Sequence, residues 1–172
     1  VQWLRLNELW AAQPDRERFR GFYAGPQGKN TLHADLMAEA LLLFETVLVE
    51  DRSVLDFVAA DYAYLNKRLI EHYGLADRLR PQMEAAGMLA PDDREGPAKP
   101  RQKSSAADQQ WVRVPLPDRS RGGFLTCGAV LTLTALPTRT SPVKRGAWVL
   151  EAVFNRPPPE PKVAVPPLDG RR

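Results

Sequence analysis

One cysteine, Cys127, and two histidines, His33 and His72, occur among the 172 residues. A lone cysteine excludes an internal disulfide and a cysteine cage for a metal, and it leaves the redox compartment open. Long apolar runs are missing too: no stretch approaches the ~18–20 residues that a helix needs to cross a bilayer, so no membrane span is expected. Nor is there a large excess of either charge. With 24 Lys and Arg against 21 Asp and Glu, the formal charge of +3 is a weak basis for holding a polyanion. A content of 44% hydrophobic and 26% charged residues excludes a disordered tail and a collagen-like repeat.

What is present is unevenly spread. Residues 1–90 carry 10 basic and 13 acidic side chains, whereas residues 91–172 carry 14 and 8 and hold 13 of the 16 prolines. We divide the chain into a helical domain at 1–90, taken as the C-terminal part of a larger domain, a flexible linker at 91–110, and a second helical segment with a proline-rich arm at 111–172. The linker follows from three prolines, eight charges and no large apolar side chain in 91–109, which leaves nothing to repay the entropy of ordering. The opening VQWLRLNELW has neither a basic start nor a small-residue cleavage site, and the sequence is expected to be a piece of a longer polypeptide.

Periodicity predicts mainly α structure. Leu36, Ala40, Leu43 and Val47, repeated one position on by Met37, Leu41, Phe44 and Leu48, give a wide apolar face and a deeply packed helix over 32–50. Asn30 or Thr31 is placed to cap it. A sharp turn is expected at Asp51-Arg52, then a short helix at 53–59 opened by a capping-box-like Ser53 and Asp56. A third helix is expected over 65–73, ended by Gly74, or else capped by Asn66 with 62–64 extended. Pro81 and Gly87 bracket one or two further turns. Val112, Val114 and Leu116 alternate as a short strand, which its proline confines to an edge. Residues 121–136 fit strand and helix spacing alike, with helix slightly favoured. Ser141 as N-cap and Pro142 at the first helical position start a helix to 154 with Val143, Ala147, Leu150 and Phe154 on one face. PPPEPKVAVPP then forms a polyproline arm.

Motifs that carry chemistry are weak. Gly25-Pro-Gln-Gly28-Lys29 has too few residues between its glycines for a phosphate loop. Asp35 and Glu39 share a helix face with His33 nearby, but H-E-x-x-H and E-x-x-H are absent, and these residues read as solvated helix ends. Cys127 sits among apolar neighbours as a packed, inert thiol without a base partner. Arg119, Arg121, Arg139, Lys144 and Arg145 read as a solvated face rather than a nucleic-acid surface, because Trp111, Phe124, Trp148 and Phe154 are expected in the core.

Several strings are nevertheless specific in combination: VQWLRLNEL with PDRERFRGF, LMAEALLLFETVLVEDRSVLDFVAADYAYLNKRLIEHYGL, and RGGFLTCGAVLTLTALPTRTSPVKRGAWVLEAVFNRPPPEP ending in VPPL. They resemble planctomycete-type secreted domains of unknown function that accompany c-type cytochrome segments, with the end of one such domain at 1–75 and the start of the next at 111–168. The motif residues that carry this likeness are Arg121, Gly122, Gly123, Arg139, Thr140, Ser141, Pro142, Arg145 and Gly146. The resemblance implies a secreted or periplasmic parent in which the proline arm leads into a downstream haem-binding domain of the same chain, with haem c held there by C-x-x-C-H. This sequence contains no such motif, so no cofactor is expected within it.

We therefore expect a helical core with one or two short β-strands, acting as a non-catalytic scaffold. Arg121, Arg139, Ser141 and Arg145 are expected to order the turn and helix entry, with a haem propionate or acidic glycan as their functional alternative. The rival expectation is part of an oxidoreductase or polysaccharide-active enzyme whose site is completed by other domains.

Overall fold

The computed structural model describes residues 2–23, 31–89, 109–116 and 121–159. All but the last two residues of the expected linker, the glycine loop with Asn30, and the proline arm beyond Pro159 lie outside the described residues.

The chain is mainly α with one small sheet. Two 3-10 segments, Leu6–Ala11 and Arg20–Tyr23, precede the long helix α1, Thr31–Val49. Then come α2 (Asp56–Ala59), β1 (Tyr62–Leu65), α3 (Lys67–His72), α4 (Arg80–Ala85), β2 (Val112–Pro115), α5 (Gly128–Leu133) and α6 (Pro142–Trp148), which runs on into a π-helical turn at Val149–Val153. Helix α1 is the axis of the molecule, touched by α5, β1, α3 and the first 3-10 segment. A single cluster of buried side chains extends from Leu4 through Leu36, Leu65 and Val130 to Trp148.

The first apolar row of α1 is buried as expected, with Leu36, Ala40, Leu43 and Val47 all in the core. The second row is not. Met37 packs against the core and Phe44 stacks on Phe57, but Leu41 and Phe44 remain exposed and Leu48 is 62% exposed. The capping box at Ser53 also fails to form. The Ser53 hydroxyl oxygen accepts from the Leu55 N–H at 3.2 Å, while the Asp56 carboxylate accepts from Arg52 Nε at 2.7 Å. The turn at Asp51 is present, with φ +48.

Of the two readings of residues 62–73, the extended one holds. Asn66 caps α3 by accepting from the Leu69 N–H at 2.9 Å, which leaves Tyr62–Leu65 free to pair with β2. The pairing is antiparallel, Tyr62 against Pro115 and Leu65 against Val112. With two strands among the described residues both are edges, so the missing N–H of Pro115 is tolerated. The ambiguous stretch resolves as a loop at 121–127 followed by α5. Ser141 caps α6 by accepting from the Lys144 N–H at 3.2 Å, and Pro142 takes its first turn.

The face expected of that last helix is wrong. Val143 is 84% exposed and Phe154 61%, Leu150 is exposed as well, and Trp148 is the residue that enters the core. A change from α to π pitch at Val149 rotates Leu150 and Phe154 off a 3.6-residue stripe, whereas Val143 already faces outward in the first turn of α6. The N-terminal segment braces that turn: Trp3 Nε1–H donates to the Ala152 carbonyl at 2.6 Å, and Arg5 pairs with Glu151.

Two glycines join the loop at 121–127 to the α2–β1 corner. A Cβ on Gly122 would run into the Ala60 carbonyl, and one on Gly123, which has φ +83, into the Val58 carbonyl. Close approach lets the Phe124 N–H donate to the Phe57 carbonyl at 2.7 Å, with their rings stacked 5.1 Å apart. Gly122→Ala is therefore expected to cost more than ~3 kcal/mol, since backbone must move. Gly74→Ala, at φ +66 in open space, should cost only ~1–2 kcal/mol for the left-handed conformation. Urea unfolding of both variants checks this, and equal losses would remove the close-approach explanation.

Candidate functional site

Helix α1 carries a second row of side chains, each one position before a core residue: Asp35 before Leu36, Glu39 before Ala40 and Thr46 before Val47. All three are buried, as is His33, so the expectation of solvated helix ends is overturned. Spacing explains it, because positions 32, 35, 39, 43 and 46 lie along the same inward stripe as the apolar residues.

Burial of these groups is compensated in part, one oxygen of each carboxylate having no hydrogen-bond partner among the described residues. Asp35 accepts from Arg68 at 2.8 Å, yet desolvation outweighs the arginine and its carboxyl is held above the ordinary range. His33 Nε2 lies 3.0 Å from the Ala12 carbonyl, stacks on Trp10 and meets the edge of Phe22. Burial lowers its basicity, so it acts as a neutral pin that ties the N-terminal segment to α1.

Glu39 is the centre of the site. Its Oε2 accepts from the Tyr73 hydroxyl at 2.6 Å and from the Gly128 N–H at 3.3 Å, joining α1 to the C-terminal cap of α3 and the first residue of α5. Its Oε1 has no hydrogen-bond partner among the described residues. Burial drives the carboxyl up to about 7 against the opposing pull of Tyr73, Gly128 and Arg121. The Tyr73 hydroxyl is itself pushed well up, by burial and then by Glu39. Gly128 is required here, because a Cβ would strike the Tyr73 hydroxyl and Leu36. One residue earlier, the Cys127 thiol donates to the Phe124 carbonyl at 3.2 Å and is pushed up to about 12 by burial. It is the packed thiol expected, poorly suited to attack as a thiolate.

On the outer side of Tyr73, the Arg121 guanidinium rests 4.0 Å over the ring. There a cavity of about 380 Å³ opens between the N-terminal segment, α3 and α5, with Leu36, Phe22 and Leu131 on its apolar wall. His72, Arg121, Arg139 and Lys144 also line it, and no Asp or Glu is among its lining residues within the described chain. His72 is held below its ordinary basicity by burial and then by Arg121.

The motif residues divide between two tasks. Arg121, Arg139 and Thr140 meet at the cavity. Thr140 also pairs with Ala135 in an isolated bridge that folds the 136–139 turn. Gly122 and Gly123 serve packing, and Ser141 and Pro142 start α6. Arg145 donates through Nε to the Thr134 hydroxyl at 3.2 Å, holding α6 on the end of α5, while Gly146 faces open space. Glu39, Tyr73, His72 and Lys144 were not among the expected site residues. The signal for Glu39 was its place in the inward stripe; nothing local marks Tyr73 or Lys144.

Two family models match. Residues 1–75 match PSD4, a protein of unknown function (DUF1592), and residues 121–172 match PSCyt3, a protein of unknown function (DUF1588). Both are domains of unknown function, in agreement with the resemblance seen in the sequence. No curated protein and no solved structure matches. The site straddles the two matched segments, with Glu39 and Tyr73 in the first and Arg121 and Gly128 in the second.

Glu39 gives a signed pH dependence. Its folded value of about 7 exceeds the ordinary 4.5, so the folded state holds the proton more tightly. Below pH 4.5 both states are protonated; stability is lost as pH rises between 4.5 and 7, by about 3 kcal/mol in all. The two lowered histidines act in the opposite sense over an overlapping range, so the wild type alone does not isolate the effect. Glu39→Gln keeps a carbonyl for Tyr73 and Gly128. Its stability relative to wild type should rise by about 3 kcal/mol between pH 4.5 and pH 8 in urea unfolding. A pH-independent difference would show that Glu39 is not the group responsible.

Proposed function

We propose that this region is a non-catalytic support in a secreted or periplasmic, haem c-associated multidomain protein, and that it holds a downstream haem-binding domain of the same chain. The observation behind this reading is the interlock of the two matched segments. Gly122, Gly123 and Phe124 close on the α2–β1 corner, and Gly128 closes on Leu36 and Tyr73. A unit built this way fixes the direction in which the chain leaves α6, with its buried polar groups holding the elements in register.

The residues present do not fit covalent attachment of haem c. Two thioether bonds need two thiols, and the single cysteine is buried and hydrogen-bonded to the Phe124 carbonyl. Haem therefore belongs, in this reading, to another part of the parent. A second reading, as part of an oxidoreductase or polysaccharide-active enzyme completed by other domains, draws support from the cavity beside Arg121. Among the described residues no helix is long and apolar enough to cross a membrane.

The support role is tested by Phe124→Ala. Loss of the ring stacked on Phe57 should lower stability by about 3–5 kcal/mol and expose Leu43 and Val130 amides to hydrogen exchange together, in one cooperative transition. Separate transitions for the two matched segments would defeat the reading. So would a Soret band that survives acid–acetone extraction of this chain after expression with haem-maturation factors.

A further inference from the structure

We infer that the cavity beside Tyr73 is a binding site for a small organic carboxylate with an apolar body, held by Arg121 and closed at its rim by Arg139 and Lys144. The wall supplies the two chemistries such a molecule needs. Phe22, Leu36 and Leu131 give it an apolar face, and four side chains able to carry positive charge line it with no carboxylate beside them among the described residues. At about 380 Å³ it falls in the range of ordinary small-molecule pockets.

Arg121 is the residue that makes the wall a site. Its guanidinium is half-buried and fixed in place by the Tyr73 ring, yet it makes no hydrogen bond or ion pair with any described residue. A planar fork of five donors, held still and left without acceptors, suits a carboxylate in bidentate contact. Glu39 does not fill that role, since it binds the Tyr73 hydroxyl from the far side and is not on the wall. Across the cavity, Lys144 Nζ donates one hydrogen bond, to the Ala135 carbonyl at 3.2 Å, which leaves further donors for the ligand. The Arg139 backbone is held by the turn that its carbonyl closes with the Leu136 N–H at 2.9 Å, while its guanidinium has no partner among the described residues.

The wall also selects against a sugar acid. Gln13, Thr132 and Thr140 are the neutral hydrophilic side chains on it, too few for the hydroxyls of a uronate. This site does not depend on the support role, and either can fail without the other.

Isothermal titration of the whole chain with benzoate, benzamide and glucuronate tests the inference. Benzoate is expected to bind saturably at submillimolar concentration, with benzamide and glucuronate at least tenfold weaker. Arg121→Gln should weaken benzoate at least tenfold, Lys144→Gln a fewfold, and Arg121→Lys should restore part of the loss. A melting curve for each variant separates a lost contact from a lost fold; if Arg121→Gln does not fold, the paired Arg139→Gln and Lys144→Gln replacement, which leaves the Arg121–Tyr73 contact intact, takes its place with the same expected loss. Equal affinity for benzoate and benzamide, stronger binding of glucuronate, undiminished binding by the folded variants, or no saturable binding would each overturn it.

Discussion

A carboxyl group with no access to water must be hydrogen-bonded, neutral or both, and the core of this chain is arranged around one such group. Glu39 sits midway along the longest helix, and its Oε2 is shared by the Tyr73 hydroxyl and the Gly128 N–H. Those two donors come from elements more than fifty residues apart in sequence. An apolar contact at the same place would tolerate a slide of α5 along α1 by a fraction of a turn. A hydrogen bond of 2.6 Å does not, because a shift of an ångström leaves a buried acceptor unmet. The polar group thus serves register more than cohesion, consistent with the modest net value of buried polar pairs.

That register has a steric counterpart in the glycines. Gly128 permits the first turn of α5 to reach Tyr73 and Leu36, while Gly122 and Gly123 bring the preceding loop onto the Val58 and Ala60 carbonyls. Between these contacts the chain has little freedom, so Phe124 is delivered to the face of Phe57 and Cys127 is carried inside with its thiol on the Phe124 carbonyl. Burial of the cysteine is thus a consequence of where the glycines set the backbone. Its protonated thiol follows from the same low-dielectric surroundings that raise Glu39.

How much of this is legible in the sequence depends on how local each signal is. The caps at Asn66 and Ser141, the turn at Asp51 and the inward row of α1 rest on neighbours within four residues, and all are readable. The outer row of α1 is not, since Leu41, Phe44 and Leu48 satisfy the same helical spacing as the inner row and differ only in what lies across from them. Helix α6 misleads for a related reason: its 3.6-residue pattern assumes one pitch, and the π turn at Val149–Val153 breaks that assumption at a place no residue advertises. Asp35 and Glu39 were visible as carboxylates on one helix face. Their inward spacing carried the burial, but their partners Arg68 and Tyr73, 33 and 34 residues further on, are not brought close by pattern alone.

The same geometry accounts for an arginine that stands without an acceptor among the described residues. Placing Glu39 behind Tyr73 gives its Oε2 a neutral hydroxyl and a backbone amide, and the acid makes no ion pair with Arg121. The arginine then meets the ring instead, where the π face holds a cation without quenching its N–H donors. Had the carboxylate and guanidinium been allowed to touch, the pair would have formed a closed internal salt bridge and left Arg121 fewer donors for the cavity. Tyr73 is thus the divider, bonded to the acid through its oxygen and to the cation through its ring. The open guanidinium of Arg121 follows from that single side chain standing between them.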